Sequence, residues 1–153
     1  MRSGYVFADA RAARAWLANR KNVPEEEIIV MGRSLGGAVA VDLAAKDGAK
    51  GLVLASTFTS MPAVAKSLMP IVPVNLLMRQ RFNSLEKISN YRGPLLLSHG
   101  DADKLIPFEQ GRQLFDAASG PKTFVTIENA GHNDPQSEEY RQALDRFLDD
   151  FQD

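Results

Sequence analysis

Apolar positions along the chain alternate between two rhythms. Val6, Ala10, Ala13 and Leu17 recur at three- to four-residue spacing with Arg11 and Arg14 between them, which predicts a helix over 7–20, stopped by Asn22 to Pro24. Ile28-Ile29-Val30-Met31 is a short unbroken apolar run, the pattern of a strand covered on both faces. An alanine-rich helix over 34–46 follows, with Gly48 as its stop. Strands are predicted over 51–55, 94–98 and 123–127, with a helix over 108–118 between the last two. A final helix over 137–151 places Tyr140, Leu144, Phe147, Leu148 and Phe151 on one face.

Strands alternating with helices predict an α/β fold, a parallel sheet flanked by helices and joined by right-handed crossovers. Residues 1–153 read as a single domain. The stretch 57–91 is less regular: Phe58, Met61, Val64, Leu68, Met69, Ile71, Val72, Leu76, Leu77 and Met78 make it apolar, and Pro62, Pro70 and Pro73 break it. It is expected to be a short helical cap inserted after the second strand. The cap either packs on the sheet or walls an apolar, acyl-type pocket, for which flexible methionines are suited. Arg79, Arg81 and Lys87 are read as a solvated face.

Bulk properties remove several function classes. A length of 153 residues supports one core, and a net charge of −1 points to no nucleic-acid partner. The chain has no cysteine, so disulfides and thiolate metal sites are excluded, and a cytoplasmic location is expected. Residues 1–9 show no apolar signal region, and the most apolar stretch, 68–78, is too short for a transmembrane segment.

Candidate chemistry gathers at the carboxyl ends of the predicted strands, where open α/β sheets place their working residues. Ser34 lies in Gly32-Arg33-Ser34-Leu35-Gly36, directly after the first strand. A serine at such a strand-to-helix turn is exposed, held in a strained backbone conformation and flanked by small residues. Its hydroxyl needs a base. Of the two histidines, His132 in the glycine-containing loop after the last strand is the expected base, and His99 is expected to be a buried strand-end residue with local hydrogen bonds. Asp103 is the expected orienting acid, whereas Asp101 is assigned to a turn and Asp134 to shaping the loop. The backbone N–H of Leu35 is the expected oxyanion donor, and Gly36 and Gly37 are expected to let the helix pack closely. Arg33 is given no catalytic role and is read as solvated or ion-paired.

Gly-Arg-Ser-Leu-Gly-Gly at 32–37, the His-Gly-x-x-Asp-x-x-Ile-Pro stretch at 99–107 and Gly-His-Asn at 131–133 together resemble the alpha/beta-hydrolase superfamily over essentially the whole chain. Phe58-Thr59-Ser60 and Arg81-Phe82-Asn83-Ser84-Leu85 look like the short-cap serine hydrolases that include depalmitoylases and monoacylglycerol-lipase-like enzymes. The resemblance implies Ser34 as nucleophile, Asp103 as acid and His132 as base. It implies cleavage of carboxylic ester or thioester bonds of a small-molecule or acyl substrate, without metal or organic cofactor. Prolyl-oligopeptidase-type peptidase domains share a similar elbow and acid loop. A third reading is a catalytically weak or inactive hydrolase serving as an interaction module.

Compared with the family, the chain supplies what look like the fifth to eighth strands and lacks the N-terminal half of the sheet. That half carries the loop after the third strand with the second oxyanion donor. Strand 28–31 is then expected to be a sheet edge. Either two copies pair through it as an antiparallel homodimer, or the chain is part of a longer enzyme.

Overall fold

The computed structural model describes residues 3–69, 71 and 81–152. Helix α1 (Ser3–Lys21) and a short 3-10 turn (Glu25–Glu27) precede β1 (Val30–Arg33), and α2 (Leu35–Asp47) leads to β2 (Leu52–Ala55). Helices α3 (Met61–Leu68) and α4 (Ser84–Ile88) come before β3 (Leu95–Gly100). The chain then runs through α5 (Phe108–Ala117), β4 (Lys122–Ile127) and α6 (Glu138–Asp149). The strands form a parallel sheet in the order β1-β2-β3-β4, with Arg33 beside Ala55 and Ala55 beside Ser98. His99 and Gly100 pair with Thr126 and Ile127.

Over β2 and β3 both sheet faces are buried, alternate residues facing opposite sides. Leu52, Leu54, Leu95 and Leu97 pack against Ala40, Val41 and Ala44 of α2 and Leu114 of α5. Val53, Leu96, Val125 and Ile127 pack against Tyr140, Ala143 and Phe147 of α6. The alanines of α2 keep its backbone close to the sheet, and Gly32 makes the closest approach. A Cβ on Gly32 would collide with the Gly36 carbonyl and come within 2.8 Å of Ala40 Cβ.

Several boundaries differ from the sequence expectation. The first strand lies at Val30–Arg33 rather than 28–31, because Ile28 closes the 3-10 turn by donating its N–H to the Glu25 carbonyl at 3.2 Å. The ladder with β2 then runs to the rim, where Ser34 N donates to the Ala55 carbonyl at 3.0 Å. β1 is an edge, and Met31 is 61% exposed because α6 covers β3 and β4 rather than this end of the sheet. Pro62 does not break the 57–91 stretch. It sits in the first turn of α3, where its missing N–H has no intrahelical partner to lose, and Ser60 Oγ caps that helix by accepting from Ala63 N at 3.3 Å. Pro70, Val72, Pro73, Leu76, Leu77, Met78 and Arg79 lie outside the described residues.

Two cations expected on polar faces are drawn inward. Arg14 is 5% exposed and donates to the Glu25 and Asp47 carbonyls at 3.0 and 3.3 Å. Lys87 is not a solvated residue: it lies 2.6 Å from Asp42 Oδ1, a side chain with no exposure. Arg11 and Lys46 each approach Asp42 at 3.0 Å, so one carboxylate on α2 ties α1 and α4 to it. Burial alone would raise the Asp42 carboxyl, but hydrogen bonds from Lys87, Lys46 and Arg11 outweigh it and hold the group below its usual range.

Candidate active site

Ser34 is the N-cap of α2, with φ 52° and ψ −124°. That is backbone space that glycine normally occupies, so a non-glycine residue there is strained. Three contacts hold it in place. Ser34 N is tied to β2, the Ser34 carbonyl accepts from Gly37 N at 3.0 Å, and it also accepts from Thr57 Oγ1 at 2.9 Å. Thr57 is fully buried, and a Cβ on Gly37 would collide with its hydroxyl and lie 2.5 Å from its Cβ. Gly36 behaves differently from the expectation of close packing: a Cβ there would meet nothing within 4 Å. It faces the open β1 edge.

The structure brings the three expected side chains into one line. Ser34 Oγ is 3.1 Å from His132 Nε2, and His132 Nδ1 is 2.8 Å from Asp103 Oδ2. Asp103 is 6% exposed, and its other oxygen, Oδ1, accepts from Leu105 N and Ile106 N, each at 2.9 Å. The carboxylate is thus fixed by its own turn and presents one oxygen to the imidazole. The Nδ1–H then points at Asp103, which leaves Nε2 able to accept the serine proton. Leu35 is the first residue of α2, so its N–H has no carbonyl one turn earlier to bond. It lies at the positive end of the helix, next to the elbow.

His99 also approaches the acid, with Nε2 at 3.4 Å from Asp103 Oδ2. It is fully buried, and its Nε2–H donates to the Ile106 carbonyl at 2.9 Å. Burial pushes its pKa down, against the opposing pull of the Ile106 carbonyl and Asp103, so His99 is a neutral ring and leaves the Asp103 charge to His132. A Cβ on Gly111 would collide with His99 Nδ1. Asp101 accepts from Asn129 N at 2.7 Å, a bond to the His132 loop rather than a turn of its own. Asp134 accepts from Gly131 N at 2.7 Å within that loop.

An apolar cavity of about 260 Å³ opens beside Ser34, lined by Leu35, Phe58, Met61, Val64, Leu68, Leu105 and Ile106. Two contributors escaped the sequence reading. Thr57 carried no motif signal. Arg33, read as solvated or ion-paired, is exposed, and its guanidinium donates to the main-chain carbonyl of His132. Among the described residues no group of histidine and carboxylate side chains could hold a metal ion, and no helix is long and apolar enough to cross a membrane.

The chain is 38% identical over 146 residues to an uncharacterized protein of Mycobacterium tuberculosis, covering 94% of this chain and 52% of that one. It is 35% identical over 142 residues to alpha/beta hydrolase domain-containing protein 17B of Homo sapiens, covering 93% and 47%. The chain therefore spans about half the length of these relatives. Its structure superposes on the esterase domain of a Rhodothermus marinus protein with a TM-score of 0.69 and 25% identity, covering 92% of this chain and 66% of that one. The model of the prolyl oligopeptidase family matches residues 2–153. The chain thus belongs to the prolyl oligopeptidase family, and its four parallel strands are the C-terminal part of an alpha/beta-hydrolase fold.

Proposed function

We propose that the chain carries the active centre of a serine hydrolase that cleaves carboxylic ester or thioester bonds through an acyl-enzyme on Ser34. The observation behind this reading is the hydrogen-bonded line Ser34 Oγ, His132, Asp103 Oδ2, at 3.1 and 2.8 Å, ending in a strained elbow beside an apolar cavity. His132 Nε2 takes the hydroxyl proton as Ser34 Oγ attacks the carbonyl carbon, and Asp103 stabilises the imidazolium. The Leu35 N–H and the start of α2 meet the oxyanion. His132 returns the proton to the departing alcohol or thiol. Water, deprotonated by the same imidazole, then releases the acid and restores Ser34. Phe58, Met61, Val64 and Leu68 supply the capping wall that takes the acyl group.

The family match favours a second reading, a peptidase that cleaves short peptide amides. The two separate on turnover. The ester reading predicts that p-nitrophenyl esters are hydrolysed faster than short peptide p-nitroanilides, in a reaction abolished in Ser34→Ala. The reverse preference supports the peptidase, and no turnover of either by folded protein supports an interaction module.

A further inference from the structure

We propose that Arg33 is a positioning residue that holds His132 in register with Ser34. The inference rests on the hydrolase reading above and adds to it a residue outside the triad. Arg33 is the last residue of β1 and the chain neighbour of Ser34. Its guanidinium donates to the His132 main-chain carbonyl, a carbonyl rather than a carboxylate. β1 and β4 are the two outer strands, so this bond spans the rim past the ends of β2 and β3. One residue therefore ties the nucleophile turn to the loop that bears the base.

The need for such a tie follows from how the loop is held. Its first half is anchored to the loop after β3: Asn129 N donates to Asp101 Oδ1 at 2.7 Å, and Ala102 N donates to the Ala130 carbonyl at 3.1 Å. Beyond Gly131 the anchors thin out. Asn133, Asp134 and Pro135 are exposed, and the bonds of Asp134 go back to Gly131 within the same loop. Arg33 supplies the bond to the main chain of His132 itself. The imidazole reaches both Ser34 and Asp103 only if its Cα is correctly placed, and misplacement by about 1 Å costs about 10²-fold in rate. A planar guanidinium with several donors suits a fixed carbonyl better than a flexible ammonium.

The test compares wild type with Arg33→Met and Arg33→Lys. It measures kcat and KM for a p-nitrophenyl ester, the melting temperature, and the downfield proton resonance of His132 Nδ1–H. Arg33→Met is expected to lower kcat by about 10- to 100-fold with KM unchanged, and to shift or broaden that resonance at an unchanged melting temperature. Arg33→Lys is expected to recover part of the kcat. Wild-type kcat together with an unmoved resonance in Arg33→Met overturns the inference. So does a loss of kcat that only tracks a lowered melting temperature. Wild-type protein that turns over no ester and takes no serine-directed probe defeats the hydrolase reading instead, and the resonance alone then decides whether Arg33 holds His132.

Discussion

Thr57 Oγ1 donates to the main-chain carbonyl of Ser34 at 2.9 Å, and the same hydroxyl occupies the space that a side chain on Gly37 would need. The strained elbow is thus clamped from β2's side, while Gly36 one residue earlier faces open space. The two glycines should respond in opposite directions. Gly37→Ala forces Thr57 aside and should lose about 1–3 kcal/mol of stability. Gly36→Ala meets nothing and should gain up to about 1 kcal/mol from helix propensity. Urea unfolding midpoints check both, and equal effects at the two positions would contradict the packing described.

The cavity beside Ser34 makes a prediction about chain length. Val64 lines it and is 8% exposed, so Val64→Phe fills space that an acyl chain would use. The ratio of kcat/KM for p-nitrophenyl octanoate to that for the acetate should fall by about tenfold, the scale of discrimination that hydrophobic pockets achieve. An unchanged ratio would place the acyl group elsewhere.

Asp42 links stability to pH. Its carboxyl is held below the ordinary value of 3.8, so the unfolded chain takes up the proton at a higher pH than the folded one. The stabilisation is complete above that ordinary value and is lost as pH falls through the lower folded value. Asp42→Asn should cost about 2 kcal/mol at pH 7, less than for a fully buried pair because the cations around it are partly exposed. It should also flatten the fall in stability below about pH 4. Chemical denaturation at pH 7, 4 and 3 reads both, and a variant with the wild-type slope would exclude Asp42 as the source.

The edge at β1 invites a further strand, from a second copy of this chain or from the rest of a longer one, and the pairing of two copies predicts self-association. Among the described residues strand β1 has a hydrogen-bonded neighbour on one side only, and an apolar groove lined by Val6, Val30, Met31, Gly36 and Val39 runs beside it. Edges of this kind pair with other chains. A second copy related by a two-fold axis would add its own β1 antiparallel. Sedimentation equilibrium should show dimer at micromolar concentration and monomer for Met31→Lys, whereas a wild-type monomer would contradict the pairing.

The order of strands and of the helices flanking the sheet was legible from apolar runs and spacing, but the first helix buries Arg14 and Ala18 rather than Ala13 and Leu17, and the two described helices within 57–91 were read only as an irregular cap. The ends were less legible. β1 shifted two residues toward the rim because the hydrogen bond closing the 3-10 turn claims Ile28, a competition that hydrophobicity does not reveal. The line of Ser34, His132 and Asp103 could be anticipated from motifs at strand ends. Its supports could not, because their partners are remote: Arg33 and His132 are 99 residues apart, and Thr57 and Ser34 are 23 apart. Lys87 was misread for the same reason, its partner Asp42 lying 45 residues earlier on another helix.

The most direct test of the central claim is labelling of the folded chain with a fluorophosphonate, with the adduct located by mass spectrometry. The account predicts a single adduct on Ser34, absent in Ser34→Ala and formed at least about 10³-fold more slowly in His132→Ala. A folded wild-type chain that takes no label, or takes it at another residue, would contradict it.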